Sequence, residues 1–259
     1  MKWVQANVSL SRPFNAVPLW EALLPRLDAW RPRHWFFMRK APALRLRFEG
    51  RGLDDKVRGF LDDMVAAGTV VAWQPAAYEP ETHLFGGREG MEVAHRHFTV
   101  DAATAARLEL ASEDFAAWSA AMLHDLFRRA TGDLWEVWEV WKNLERLRNP
   151  APDVDAEAVE TARRIVVGEG PQGALADAYR TANQGAADGL RELADAGRLN
   201  AGVRALLPFY TVFHWNRFRL HVPQQTRMMA AMQAVLNPRA GMSSSDTGSP
   251  TRGSREIPS

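Results

Sequence analysis

The chain contains no cysteine, which removes disulfides, thiolate nucleophiles and cysteine-held zinc or iron–sulfur centres from consideration. It also lacks a strong net charge. With 32 basic and 31 acidic side chains it carries +1, too little for an overall field that draws nucleic acid. No stretch approaches the roughly 18 consecutive apolar residues of a membrane span. The opening MKWVQANVSLSRPF has no apolar run of signal-peptide length. These absences lead to the expectation of a soluble cytoplasmic protein that engages neither membrane nor nucleic acid. Several catalytic signatures are missing as well. There is no GxGxxG after a strand, no P-loop, no GxSxG elbow and no HExxH.

What is present is an ordinary globular balance, 46% hydrophobic and 24% charged, with ten tryptophans in 259 residues. Val4, Ala6, Val8 and Leu10 alternate and predict a half-buried strand. Trp20, Leu23, Leu24 and Leu27 then form a helical stripe. Trp35 to Met38 reads as a central strand, and Leu44, Leu46 and Phe48 alternate with Arg45 and Arg47 in the next. Val57, Phe60, Leu61, Met64 and Val65 return to helical spacing, Gly68 caps the helix, and Val70 to Trp73 form a fourth strand. The order β-α-β-β-α-β is that of a ferredoxin-like split βαβ unit over about 1–80.

From about residue 89 the pattern is helical, with stretches expected at about 156–168, 173–197 and 199–236. Leu134, Val137, Trp138, Trp141 and Leu144 make one stripe, and NPAPDVD (149–155) is a proline-punctuated connection. The expectation is therefore an α+β chain: one domain over 1–237, with its helical part at about 89–237, and a disordered Ser/Gly/Pro/Arg-rich tail over 238–259.

Four constellations carry chemistry. Arg45 and Arg47 share one sheet face roughly 7 Å apart, where two guanidinium forks hold a carboxylate or developing oxyanion; a solvated edge face is the plainer alternative. Tyr78, Glu79, Pro80 and Glu81 lead to Phe85, Gly86 and Gly87. There the glycine pair permits a sharp path or close ligand approach, and the acids offer a base or an ion pair. His95 and His97 stand two apart, which on a helix sends their imidazoles in different directions, so no shared metal is expected. Tyr210, His214 and Arg217 lie at i, i+4 and i+7, a general acid/base set or a histidine buried in an aromatic core. The Trp135, Trp138 and Trp141 group suits core more readily than a substrate wall.

Taken in order, WFFMRKAPALRLRF (35–48), YEPETHLFGG (78–87), GMEVAHRHF (90–98) and FHWNR (213–217) resemble the thiopeptide-type bacteriocin biosynthesis domain. That family is related to the C-terminal elimination domain of class I lanthipeptide dehydratases. The resemblance spans about 3–236. It implies an enzyme without cofactor or metal that modifies a ribosomal precursor peptide held by its leader, with a partner dehydratase as a further candidate. Two activities are known on the scaffold. One expels glutamate from a glutamylated Ser or Thr; the other joins two dehydroalanines by a formal aza-[4+2] cycloaddition into a pyridine, losing water and the leader.

Eliminating relatives carry an arginine on the LRLRF-like strand, a second before the glycine pair and a histidine in an H-x-x-N-R-like segment. Arg47 or Arg45 matches the first, and His214 with Asn216 and Arg217 resembles the last. At the second position this chain reads Tyr-Glu-Pro-Glu, leaving Arg88 as the nearest substitute. The resemblance thus favours the pyridine synthase, with His214, Tyr210, Arg47 and Arg45 as catalytic candidates. Tyr78, Glu79, Glu81, Phe85, Gly86, Gly87, Trp215, Asn216 and Arg217 are its substrate-binding candidates. The sheet and the basic stretch Arg31 to Lys40 are candidates for leader binding. A non-catalytic precursor-binding subunit and an RNA-binding module are the competing classes, the latter weakened because no RNP-type aromatic motif is present.

Overall fold

The computed structural model describes residues 2–12, 15–40, 43–149 and 153–238. The tail expected over 238–259 lies outside these residues, save for its first. Strand β1 (Lys2–Leu10) leads through α1 (Val17–Trp30) to β2 (His34–Lys40) and β3 (Ala43–Gly50). Helix α2 (Asp54–Ala66) then leads to β4 (Val70–Ala76). The sheet order is β2-β3-β1-β4 with every neighbour antiparallel, which is the expected split βαβ arrangement.

Alternation divides the sheet into two unlike faces. Ala6, Val8, Phe37, Leu46 and Phe48 are buried on the side of α1 and α2. There the Trp20 and Phe37 rings pack at a tilt with centroids 4.5 Å apart, and Trp30 meets Phe48 and Phe60 edge-on. The opposite face is polar and aromatic. Across its rows the register sets Gln5 and Phe36 beside Arg47, and Trp3 and His34 beside Glu49.

A 3-10 turn at Thr82–Phe85 introduces α3 (Arg88–Ala111), which lies against that polar face and against β2. Then follow α4 (Phe115–Thr131), α5 (Leu134–Asn143), α6 (Ala156–Val166), α7 (Ala174–Asp195), α8 (Val203–Arg217) and α9 (Val222–Leu236). The helical run expected over 199–236 breaks in two, with Arg219 in the left-handed region at φ 55°. One contiguous core joins sheet and helices.

Strand β2 is an edge, and an edge strand needs partners for its outward backbone groups. Side chains supply them: Trp35 N–H donates to Thr99 Oγ1, Arg39 N–H donates to Asn216 Oδ1, and Asn216 Nδ2 donates to the Arg39 carbonyl. The glycine pair serves the sharp backbone path. Gly86 has φ +85°, and an added Cβ would lie 2.7 Å from a Leu199 methyl; Gly87, at φ +101°, caps α3.

Candidate active site

Arg47 is 4% exposed. Its Nε donates to Gln5 Oε1 at 2.8 Å, and its guanidinium carbon lies 4.3 Å from the Tyr78 ring centroid and 5.1 Å from that of Phe36. Nη1 is buried without a hydrogen-bond partner, and so is Oε2 of Glu81. Burial lowers the Arg47 pKa, against the pull of Tyr78 and Glu81. The Tyr78 hydroxyl and His95 Nε2 share a 2.8 Å hydrogen bond, and Trp3 packs on both rings. Burial also raises the Tyr78 pKa, opposed by Arg47. Burial, reinforced by His34, brings His95 down to about 4. Arg45 follows Met38 and Asn7 on the same face and is half-buried.

Behind this face lies a second polar group centred on Asp101 of α3, which is fully buried. Its Oδ1 meets His214 Nδ1 at 2.6 Å and accepts from the Tyr179 hydroxyl at 2.7 Å, while Oδ2 accepts from Arg217 Nε. Burial alone would raise the Asp101 pKa; Arg217 and His214 hold it far below the usual carboxylate range. His214 Nε2 lies 2.9 Å from Ser119 Oγ. The Ser119–His214–Asp101 connectivity is that of a nucleophile-activating triad. Ser119, however, sits inside α4 and is fully buried, with no free backbone donors to form an oxyanion hole. Arg217 reaches toward the sheet. Its guanidinium carbon lies 4.3 Å from the Phe98 centroid, Nη1 is 3.6 Å from Met38 Sδ, and Nη2 is buried without a partner.

Of the sequence candidates, Arg47, Tyr78, Glu81 and Arg45 therefore meet on or beside the sheet face, whereas His214 and Arg217 meet on Asp101. Tyr210 does not join them. Its buried hydroxyl has no partner, and its ring packs against Phe85, His97 and Phe98. Three other substrate-binding candidates are core or clamp: Phe85 and Trp215 are fully buried, and Asn216 holds the β2 edge. Glu79 and Arg88 are exposed.

The basic stretch proposed for the leader is divided. Arg33 pairs with Glu92, while Arg39 pairs at 2.5 Å with Glu109, which also accepts from Arg219 and Trp20. His95 and His97 do diverge, His95 to Tyr78 and His97 to Asn183 at 2.9 Å. Trp141 is core and Trp135 is 47% exposed.

Sequence reasoning passed over Asp101, Tyr179, Gln5 and the pairing of His95. All three tyrosines of the chain lie in or beside these groups, and that scarcity was the one signal available. No helix among the described residues is long and apolar enough to cross a membrane.

Several solved structures share this fold. The tRNA-dependent lantibiotic dehydratase MibB from Microbispora sp. 107891 aligns with a TM-score of 0.71 and 16% identity, covering 93% of this chain and 28% of that one. The chain thus spans little more than a quarter of MibB. TsrL aligns at 0.54 and 16% identity, covering 93% and 95%. The pyridine synthase TbtD from thiomuracin biosynthesis aligns at 0.56 and 11% identity, covering 93% and 100%. No curated protein matches the chain. The model of the lantibiotic biosynthesis dehydratase C-terminal region matches residues 3–236, nearly all of the described chain, and the protein belongs to that family.

Proposed function

We propose that this protein modifies a dehydrated ribosomal precursor peptide, and that its reaction is closure of a pyridine from two dehydroalanines by formal aza-[4+2] cycloaddition. The observation that carries this reading is the Tyr78–His95 hydrogen bond set beside the unpartnered Nη1 of Arg47 and the unpartnered Oε2 of Glu81. To become an aza-diene, a backbone amide must lose its N–H proton and gain one on oxygen. Tyr78, backed by His95, gives the proton; Glu81 takes the other; Arg47 holds the oxygen by a charge-assisted bond. Trp3, backed by the buried Phe36, walls the face, and holding the two alkenes together supplies much of the acceleration. Two carbon–carbon bonds form, after which water and the leader leave.

His214 and Tyr210 act from behind: His214 with Asp101 fixes Arg217 beneath Met38, and Tyr210 packs that wall. The peptide reaches the protein through its leader, from a dehydratase partner that installs the alkenes.

Glutamate elimination is the second reading, favoured by the pairing of Arg45 and Arg47 on one face. A glutamate leaving beside Glu81 meets like charge, which places it second. Mass spectrometry of the protein with two leader-bearing peptides decides. Loss of water plus the leader from the dehydroalanine peptide, abolished in Tyr78→Phe, is expected. Loss of glutamate from a glutamyl-serine peptide replaces this reading with the second. Binding without any mass change in either peptide leaves a precursor-binding subunit.

A further inference from the structure

Another set of side chains converges at the beginning of β2, beyond the Tyr78–Arg47 group. His34 faces Glu49 of β3 across the register, and Glu92 comes from the second turn of α3. His34 Nε2 lies 3.0 Å from Glu92 Oε1 and 3.8 Å from Glu49 Oε2, and one donor atom from each residue falls within 4.8 Å of the others. A tetrahedral zinc with bonds near 2.1 Å sets its ligand atoms about 3.4 Å apart, between those two separations. Small side-chain adjustments reach that geometry, and Glu92 is only partly buried.

Glu49 supplies the decisive sign. It is 7% exposed, and its Oε2, the oxygen aimed at His34, is buried with no hydrogen-bond partner. A buried carboxylate oxygen without a partner is costly, and a second carboxylate beside it raises the cost. Arg33 answers only part of that charge. Its Nη1 sits 3.6 Å from the other oxygen of Glu49 and its Nη2 bonds Glu92, from a position 43% exposed. One guanidinium against two carboxylates leaves one negative charge, directed inward at a neutral-capable imidazole.

We propose that His34, Glu49 and Glu92 bind a divalent transition-metal cation, with Zn²⁺ the best match to one imidazole and two carboxylates. Arg33, whose Nη2 bonds the same Glu92 Oε1 that faces His34, turns to the outer carboxylate oxygens as the cation enters and balances the excess charge, and its exposed side is the path of entry. The site is independent of the pyridine reading, since it uses none of the residues assigned there.

The test is calorimetric titration of ZnCl₂ into the full chain after chelator dialysis, with the visible spectrum of added Co²⁺ reporting coordination. One equivalent should bind with micromolar or tighter affinity, and Glu49→Gln and Glu92→Gln should each weaken it by at least about tenfold, a loss of about 1.4 kcal/mol. Glu113→Gln, at an exposed residue elsewhere, should leave it unchanged. If Glu49→Gln fails to fold by circular dichroism, Glu92→Gln alone decides, because its side chain is partly open to solvent. Absence of saturable binding, or equal affinity in wild type and Glu92→Gln, overturns the proposal.

Discussion

Arg47 and Asp101 are both buried and both charged, yet the structure uses them differently. Arg47 is held at Nε by Gln5, and its Nη1 is buried without a partner; in the proposed reaction that is the atom that bonds the substrate oxygen. Arg47→Lys keeps the charge but loses the planar fork and the grip on Gln5. Turnover should fall about 10²- to 10³-fold, the usual loss for one preorganised donor to a developing charge, with leader affinity unchanged. Equal losses in both measurements would assign Arg47 to binding alone. Asp101 is closed on every side, by His214, Tyr179 and Arg217. Asp101→Asn leaves the Arg217 charge buried without its counter-ion and should cost about 3–5 kcal/mol in denaturant unfolding. Asp101→Asn with Arg217→Met should recover part of that loss, because the orphaned charge goes too. A single variant as stable as wild type would mean that the pair contributes little.

The regular elements were the legible part of this molecule, because apolar periodicity is a local property. The alternation in Leu44, Leu46 and Phe48 put Arg45 and Arg47 on one face, and the register confirms that face. Of the stripe Val57, Phe60, Leu61, Met64 and Val65, the first four became the buried side of α2, whereas Val65 is exposed. The polar groups were legible only within a segment. His214 and Arg217 were visible as neighbours on α8, but the carboxylate that joins them is more than a hundred residues away on α3, and no spacing rule reaches that far. Tyr210 fits the same helical spacing, yet tertiary packing turned its ring into the aromatic core instead. The junction of the 3-10 turn and α3 is equally a matter of close approach. A Cβ on Gly90 would stand 1.9 Å from the Phe85 carbonyl oxygen, a clash with backbone that no rotamer relieves. Gly90→Ala should therefore destabilise by about 3 kcal/mol or more, against the small gain expected of Ala in an ordinary helix. Thermal melts of the purified variant read this directly, and an unchanged midpoint would mean that α3 shifts freely at its start.

At the scale of the whole molecule, a polar sheet face and a helical bundle are packed over charged and histidine-bearing seams, and burial of those seams makes stability depend on pH. His124 of α4 is 7% exposed, and its Nδ1 is buried without a partner. Burial first, then Arg128, brings its pKa down from 6.5 to about 4, with Asp125 pulling the other way. A histidine depressed in the folded state is protonated more readily when unfolded. Its contribution is therefore complete above pH 6.5 and is lost as the pH falls from 6.5 toward 4. His95 and His97 shift in the same direction, so the wild-type protein should lose stability steeply across that window. His124→Leu isolates one of the three, because it removes the titrating group and sacrifices no hydrogen bond at Nδ1. Between pH 6.5 and 5 the variant should lose about 1.6 kcal/mol less than wild type, because the unfolded imidazole is already half protonated at pH 6.5 and a full proton is worth about 1.4 kcal/mol per pH unit. Urea unfolding at the two pH values measures the difference. Parallel losses in the two proteins would mean that His124 titrates alike folded and unfolded, and that solvent reaches its ring through the seam between α4 and α7.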